Sequence, residues 1–514
     1  MSLILLFAGA LCINFLWSYS GHAVSNQNNV VFSNSFSSEM NPLPGGQFQP
    51  SEASQNTAPS HGNRPSGMTN VSGGRSANAN SNYSLQIIVY AIVFLPLFLA
   101  AYYMVTNKKV KIQPGHVKIL ILTILGVGLL LRIPMALLIT GHPFDLTTFK
   151  NWATTAANNF SQFYQGRNAS DYPPLYIYML FVIGKIGSIT ALTPFFTLLL
   201  KLPSIVADIA TAFLIYKLAK KYLAVEMSLL LAAFYTFNPA VLINSTIWGQ
   251  VDSFFTLIIV AALVVLTEKK IDLATVLFTA AILMKPQGII FLPVLFFELI
   301  RLKTLRSWLK VLIPGIVTAL VLVLPFSLNT NGLWIFKLYA STLGEYPYAS
   351  VNAFNFFSLL GANFTKDAST LLVFSYHSWG LIAIVLITVF SWFLFIKGNS
   401  RIYASAVALL LIDGVFTVSS RMHERYLFPA VALSILAFIY LRDKRLLLLA
   451  VGYSVTSYIN THFVLFETQS GINSVAYGPI LIVTSLFNVF LLIYLIRVLY
   501  DLVMRESSRS ASIW

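Results

Sequence analysis

Cysteine is nearly missing from this chain. A single residue, Cys12, in 514 leaves no pair for a disulfide, no thiolate cluster for zinc and no dithiol for redox work. Charge is scarce too. Asp, Glu, Lys and Arg make up 10% of the chain, against roughly a quarter of a soluble domain. Acidic residues are the scarcer sign, 18 against 33 basic, for a net charge of +15. No glycine-rich phosphate loop occurs, which argues against a nucleotide as direct substrate. His-x-x-x-His, Cys-x-x-Cys and clustered Asp-x-Asp strings are also lacking, so no metal site is indicated. Asp145, Asp171 and Asp252 could still converge on one ion.

What fills the chain instead is apolar. Hydrophobic residues make up 57% of it and the mean hydropathy is +0.75, which excludes a soluble globular enzyme. Apolar runs of 15–23 residues recur, each long enough to cross or nearly cross a hydrocarbon core of roughly 30 Å as a helix. The expected class is an all-α polytopic membrane protein. Thirteen spans are predicted, at 84–106, 118–140, 195–216, 226–244, 251–267, 271–284, 288–300, 311–327, 378–397, 402–420, 426–441, 446–465 and 476–498. Before them, residues 1–23 read either as a signal peptide without its basic n-region or as an uncleaved anchor. Residues 24–82, rich in Ser, Asn, Gly and Pro, read as a disordered linker. Residues 501–514 form a tail.

The charges orient the spans. Alternate breaks hold Lys108, Lys109, Lys111, Lys118, then Lys217, Lys220, Lys221, Lys269, Lys270, and further Arg301, Lys303, Arg306, Lys310, Lys397, Arg401, Arg442, Lys444 and Arg445. Basic residues accumulate on the cytoplasmic side, so the positive charge is a topology signal and no nucleic-acid partner is implied. The alternation requires that 173–190, which opens on Pro173-Pro174, does not cross fully.

The other breaks then share the non-cytoplasmic face and hold nearly all the remaining ionisable residues, where charge at membrane depth marks a functional cavity. Asp145 opens an amphipathic interfacial helix. It is either a general base for a hydroxyl nucleophile or a cap on free N–H groups. Asp171 before Tyr172-Pro173-Pro174 reads as a binding group or a turn former. Arg421, His423, Glu424 and Arg425 run against the positive-inside trend and suit phosphate oxygens, unless Glu424 pairs with an arginine. Lys285, followed by Pro286-Gln287 between two short spans, is a lone cation at depth or a snorkelling one. Trp248-Gly249-Gln250-Val251-Asp252 reads as a re-entrant turn offering an aromatic face to a sugar, or as an interfacial anchor. The 328–377 loop adds Glu345, Tyr346, Tyr348, Asn352 and Asn355.

Taken in order, these strings resemble the GT-C integral-membrane glycosyltransferases that use polyprenyl-phosphate-linked hexose. Asp145 with Trp152, Asp171-Tyr172-Pro173-Pro174-Leu175 and His423-Glu424 are similar to dolichyl-phosphate-glucose-dependent α-glucosyltransferases of the endoplasmic reticulum. Trp248 to Asp252, Met284-Lys285-Pro286-Gln287, Asn352-Ala353-Phe354-Asn355 and Arg421 to Arg425 look more like prokaryotic mannosyltransferases similar to the second mannosyltransferase of GPI assembly. The likeness covers 118–500; the 84–106 helix and the preface lie outside it.

The resemblance implies an inverting transfer of mannose or glucose to an acceptor hydroxyl on a glycan, lipid or protein. Asp145 would be the general base. His423, Arg425, Arg421, Lys285 and Gln287 would hold the donor phosphate. Asp171, Tyr172, Trp248, Gln250, Asp252, Asn352, Asn355 and Glu424 would hold sugar or acceptor. No cofactor or metal is implied, and the first loop lacks the paired acidic motif of the metal-dependent branches. The lipid tail would lie in a groove opening sideways to the bilayer. The membrane would be the plasma membrane of a prokaryote or the endoplasmic reticulum. Two other readings stand beside it: a lipid or glycolipid transporter, which is expected to show internal repeats, and a non-catalytic lipid-binding member of the same fold.

Overall fold

The structure, a computed structural model, describes residues 2–34, 83–165, 170–328, 330, 332–468 and 473–511. It is built almost wholly of helices: α1 (Ser2–Asn34), α2 (Ser84–Thr106), α3 (Pro114–Leu138), α4 (Pro143–Asn158), α5 (Pro174–Gly187), α6 (Phe196–Tyr222) and α7 (Val225–Thr236). After a π-helical turn, Ile243–Trp248, come α8 (Asp252–Thr267), α9 (Ile271–Ile282), α10 (Leu292–Leu302), α11 (Leu305–Ser327) and α12 (Trp334–Gly344). A two-stranded hairpin, β1 (Thr370–Leu371) with β2 (Phe374–Ser375), precedes α13 (Tyr376–Gly398), α14 (Ala404–Val418), α15 (Pro429–Leu441), α16 (Lys444–Glu467) and α17 (Pro479–Ala511).

Among the described residues nine helices are long and apolar enough to cross a membrane, fewer than the thirteen read from the sequence. Eight of the thirteen expected spans are among these nine, with α1 the ninth, and four others, 251–267, 271–284, 288–300 and 426–441, fold as the shorter helices α8, α9, α10 and α15. At 1.5 Å per residue the 14 residues of α5 reach about 21 Å, so the 173–190 segment is too short to span, as the charge pattern requires. Another expected span, α16, is long enough but carries Ser454, Thr456, Ser457, Asn460, Thr461 and His462, all buried against protein. Residues 24–34 continue α1, which lies along α3 with Leu5 against Gly126, and 35–82 fall outside the described residues. The expected tail continues α17 as far as Ala511.

Burial sorts the helices. A helix apolar all round belongs in a core, and α14 and α15 are enclosed on every side. In contrast, α11 turns Ile313, Ile316, Val317, Leu320, Val321 and Leu324 outward, as a lipid-facing helix does. One end of the bundle is tied by basic residues: Lys221 to Glu268 at 2.8 Å, Arg401 to Glu298 at 2.6 Å and Arg445 to Asp501 at 2.8 Å. The loops expected to face away from these charges meet at the opposite end.

Not every remaining charge gathers there, contrary to expectation. Arg132, Lys201, Asp208 and Asp413 are fully buried within helices. Each has local partners, as buried polar groups require, and among the four only Asp208 keeps a side-chain atom, Oδ1, without a hydrogen-bond partner among the described residues. Arg132 donates to Asp208 at 3.3 Å and to the Thr236 carbonyl at 2.7 Å, Ser245 donates to Asp208 at 2.5 Å, and Tyr453 donates to Asp413 at 2.6 Å.

Candidate functional site

Two glycines and a buried lysine assemble the site. Gly141 ends the α3 segment and Gly249 ends the π-turn, both at φ +90°, a region L side chains avoid. A Cβ on Gly141 would lie 2.5 Å from the Trp248 carbonyl oxygen. The contact lets the His142 N–H donate to that oxygen at 3.1 Å and the His142 ring stack on Trp248, centroids 4.9 Å apart and planes within 3°. Behind them Lys201 Nζ donates to the carbonyls of Ile139 at 2.7 Å, Ala136 at 3.2 Å and Ile247 at 3.2 Å. An amine there satisfies carbonyls from both segments and locks the two loops together.

Against this platform sits Asp145, in the first turn of α4. Its Oδ2 accepts the Trp248 indole N–H at 2.7 Å and the Gln250 amide N–H. It is not the helix cap. His142 caps α4 instead, its Nδ1 accepting the Asp145 backbone N–H at 3.2 Å. Burial pushes the Asp145 carboxyl up, but the net shift is down. The lowering comes first from the adjacent His142 and from Arg425, and then from the two N–H donors. Asp145 is therefore an anion at neutral pH, 14% exposed, and those bonds use only part of its roughly four lone-pair sites.

A second cluster adjoins the first. Asp252, opening α8, pairs with Lys285 Nζ through Oδ1, while its Oδ2 accepts from Asn244 Nδ2 at 3.2 Å and lies 3.9 Å from Arg425 Nε. Arg425 also donates to Glu424 and lies over the Trp248 ring at 5.6 Å. The Lys285 ammonium is held between the Tyr172 and Tyr426 rings, 5.8 and 5.4 Å away. It is buried rather than snorkelling, and burial pulls its pKa down even though Asp252 opposes it. The His423 imidazole, packed edge-on against Tyr346 at 4.7 Å, is driven well below its usual pKa by burial and by Arg425 and Lys285, and so is neutral.

Four buried polar atoms in this region have no hydrogen-bond partner among the described residues: Asn244 Oδ1, Gln250 Oε1, Gln287 Oε1 and Arg425 Nε. Buried polar groups are nearly always paired, so these four atoms are open to the polar groups of a ligand.

At the mouth, the Thr342 hydroxyl donates to the Asp171 carbonyl at 2.9 Å, bringing α12 across the loop before α5. Glu345 is raised to about 7, first by burial and then by the facing Asp171. The Asp171 carboxyl is itself raised by burial and by Asp145.

Three expected site residues are not in the cluster. Arg421, at φ +64°, pairs with Asp367 at 2.7 Å and donates to the Leu343 carbonyl at 2.6 Å. The Asn352 side chain accepts from the Val475 N–H at 2.8 Å and from Asn363 Nδ2 at 3.0 Å, while the Asn352 backbone N–H donates to Asn363 Oδ1 at 2.9 Å. Asn355 caps a short turn at Ser358 and reaches the carbonyls of Phe416 and Ser419. All three pin the 345–368 loop. Sequence reading gave no role to Lys201, His142 or Asn244. The signal for Lys201 was a lone cation within an apolar helix.

Among the described residues no group of three or more His, Cys, Asp or Glu is arranged to hold a metal ion. Beyond Gln287, α10, α11 and α13 border an apolar groove of about 620 Å³, lined by residues including Ile289, Leu292, Phe296, Val311, Val389 and Trp392. No protein-family model matches the chain, and no curated protein matches it either.

Proposed function

We propose that this membrane protein is a glycosyltransferase of GT-C type, transferring mannose or glucose from a polyprenyl-phosphate donor to an acceptor hydroxyl on the non-cytoplasmic face. The observation that carries the reading is one juxtaposition. The anionic Asp145, held by Trp248 and Gln250, lies beside the Lys285–Asp252–Arg425–Glu424 cluster, and Lys285 begins the segment that leads into the apolar groove. An anion-binding pair next to a base, with an apolar trough alongside, suits a lipid phosphate carrying a sugar.

In the reaction the acceptor oxygen attacks the anomeric carbon. The new C–O bond forms as the bond from that carbon to the phosphate oxygen breaks, with inversion. The acceptor proton passes to Asp145, and the polyprenyl phosphate leaves with the electron pair. Lys285 and Arg425 stabilise its developing charge, with neutral His423 as a hydrogen-bonding group. Both cations are already compensated by carboxylates, which fits a single phosphate better than a diphosphate. Trp248, Gln250 and Asp252 orient sugar hydroxyls.

Transport would use the charges buried inside the bundle. Arg132 and Lys201 are held by backbone carbonyls and, for Arg132, by Asp208, which leaves neither side chain free to carry a relay. The test is release of labelled hexose from polyprenyl-phosphate mannose and glucose, supplied in turn to the protein in nanodiscs with crude membrane lipids as acceptors. Release from one donor supports transfer and names the sugar; retention of both labels on their donors contradicts it.

A further inference from the structure

The β1–β2 hairpin is built against local preference. Thr370 pairs with Ser375 and Leu371 with Phe374, so Leu372 and Val373 form a two-residue turn. Such turns favour Asn-Gly or Gly-containing pairs because they need positive φ. Here Leu372 takes φ +61°, uncommon for a non-glycine residue. The reward is not packing. Leu372 is 86% and Val373 78% exposed, with Phe374 at 46% beside them.

The hairpin is fixed rigidly to a lipid-facing helix. Trp379, in the first turn of α13, donates its indole N–H to the Leu371 carbonyl at 2.9 Å and packs edge-on against Phe374 at 5.2 Å. Three, seven and ten residues on, Ile382, Leu386 and Val389 share that face of α13 and are 39%, 64% and 54% exposed. Val389 also lines the apolar groove. The exposed tip is therefore continuous with a surface that faces acyl chains, with a tryptophan, an interface-seeking residue, at the junction.

We infer that Leu372 and Val373 are immersed in the lipid leaflet at the site end of the bundle, about 5–10 Å into the headgroup–acyl boundary. They anchor the 345–375 loop at the membrane surface. The partner is the bilayer itself, and the inference stands whether or not the protein transfers sugar.

The test uses the full chain with Cys12→Ser, carrying Leu372→Cys or, separately, Val373→Cys. Each is labelled with an environment-sensitive fluorophore and placed in phosphatidylcholine nanodiscs. Nitroxide lipids labelled near the headgroup should quench both probes several-fold more strongly than aqueous iodide does. Strong iodide quenching with no effect of nitroxide lipids, at either position, overturns the inference and leaves the tip in water or on a soluble partner.

Discussion

The indole N–H of Trp248 donates to Oδ2 of Asp145 at 2.7 Å, joining residues 103 positions apart in the chain. The bond depends on two loops that approach only because Gly141 and Gly249 adopt positive φ and Lys201 ties their carbonyls. It turns a helix-start aspartate into a fixed anion beside a cationic cluster.

Trp248→Phe removes one of the donors that hold Asp145 below the usual carboxylate range. A hydrogen bond to a charged group contributes about 1.5–3 kcal/mol, so the Asp145 pKa should rise by about one unit or more. The acid limb of the transfer rate should move to higher pH by the same amount. A pH–rate profile checks this; an unmoved limb would mean that another group titrates.

Lys285→Met leaves Asp252 with only Asn244 and the more distant Arg425 as partners and should destabilise the protein by about 3 kcal/mol. Adding Asp252→Leu should recover most of that stability, because no charge then remains unpaired. Thermal unfolding in detergent measures the stability and hexose release the activity. The double variant should stay folded and inactive; if it transferred at the wild-type rate, Lys285 would not be a phosphate ligand.

Arg425→Gln and Arg421→Gln should separate cleanly. Arg425 faces the cluster, and its loss should weaken donor binding about 10- to 100-fold, or roughly 1.4–2.7 kcal/mol. Arg421 is occupied by Asp367 and Leu343. Its variant should lower the melting temperature while leaving donor affinity within about twofold, a shift under about 0.5 kcal/mol. Equilibrium binding of a labelled donor discriminates the two.

Glu345 titrates at about 7, raised by burial and by Asp171, against about 4.3 in an unfolded chain. The native state thus holds the proton more tightly. This group's contribution to stability is complete below pH ~4.3 and is lost as pH rises through about 7. Glu345→Gln should flatten the decline in melting temperature over that window, and an unchanged pH dependence would assign it to another group.

Much of the architecture was legible in the sequence. The apolar runs located the helices, and the alternation of lysine and arginine separated the basic end from the end where Asp145, Trp248, Asp252, Lys285 and Arg425 meet. The choice among neighbours was not legible. Arg421 and Arg425 lie four positions apart in the same motif, yet only the pairing of Arg421 with Asp367, 54 residues away, removes it from the cluster. Asn352 and Asn355 look like sugar ligands because amides suit hydroxyls. Their actual partners are backbone groups and, for Asn352, the Asn363 side chain, which are brought to them by folding. Span lengths failed for a related reason: an apolar run signals burial, and α15 or α16 meets that demand inside protein as readily as in lipid.

The most direct test of the account compares Asp145→Asn with the wild-type protein in nanodiscs, measuring donor binding and hexose release on the same preparation. The substitution keeps an acceptor for Trp248 and Gln250 but removes the base. Donor affinity should stay within about threefold, roughly 0.7 kcal/mol, while release falls by about 10²–10⁴-fold. Hexose release by Asp145→Asn at the wild-type rate would contradict the assignment of Asp145 as the general base.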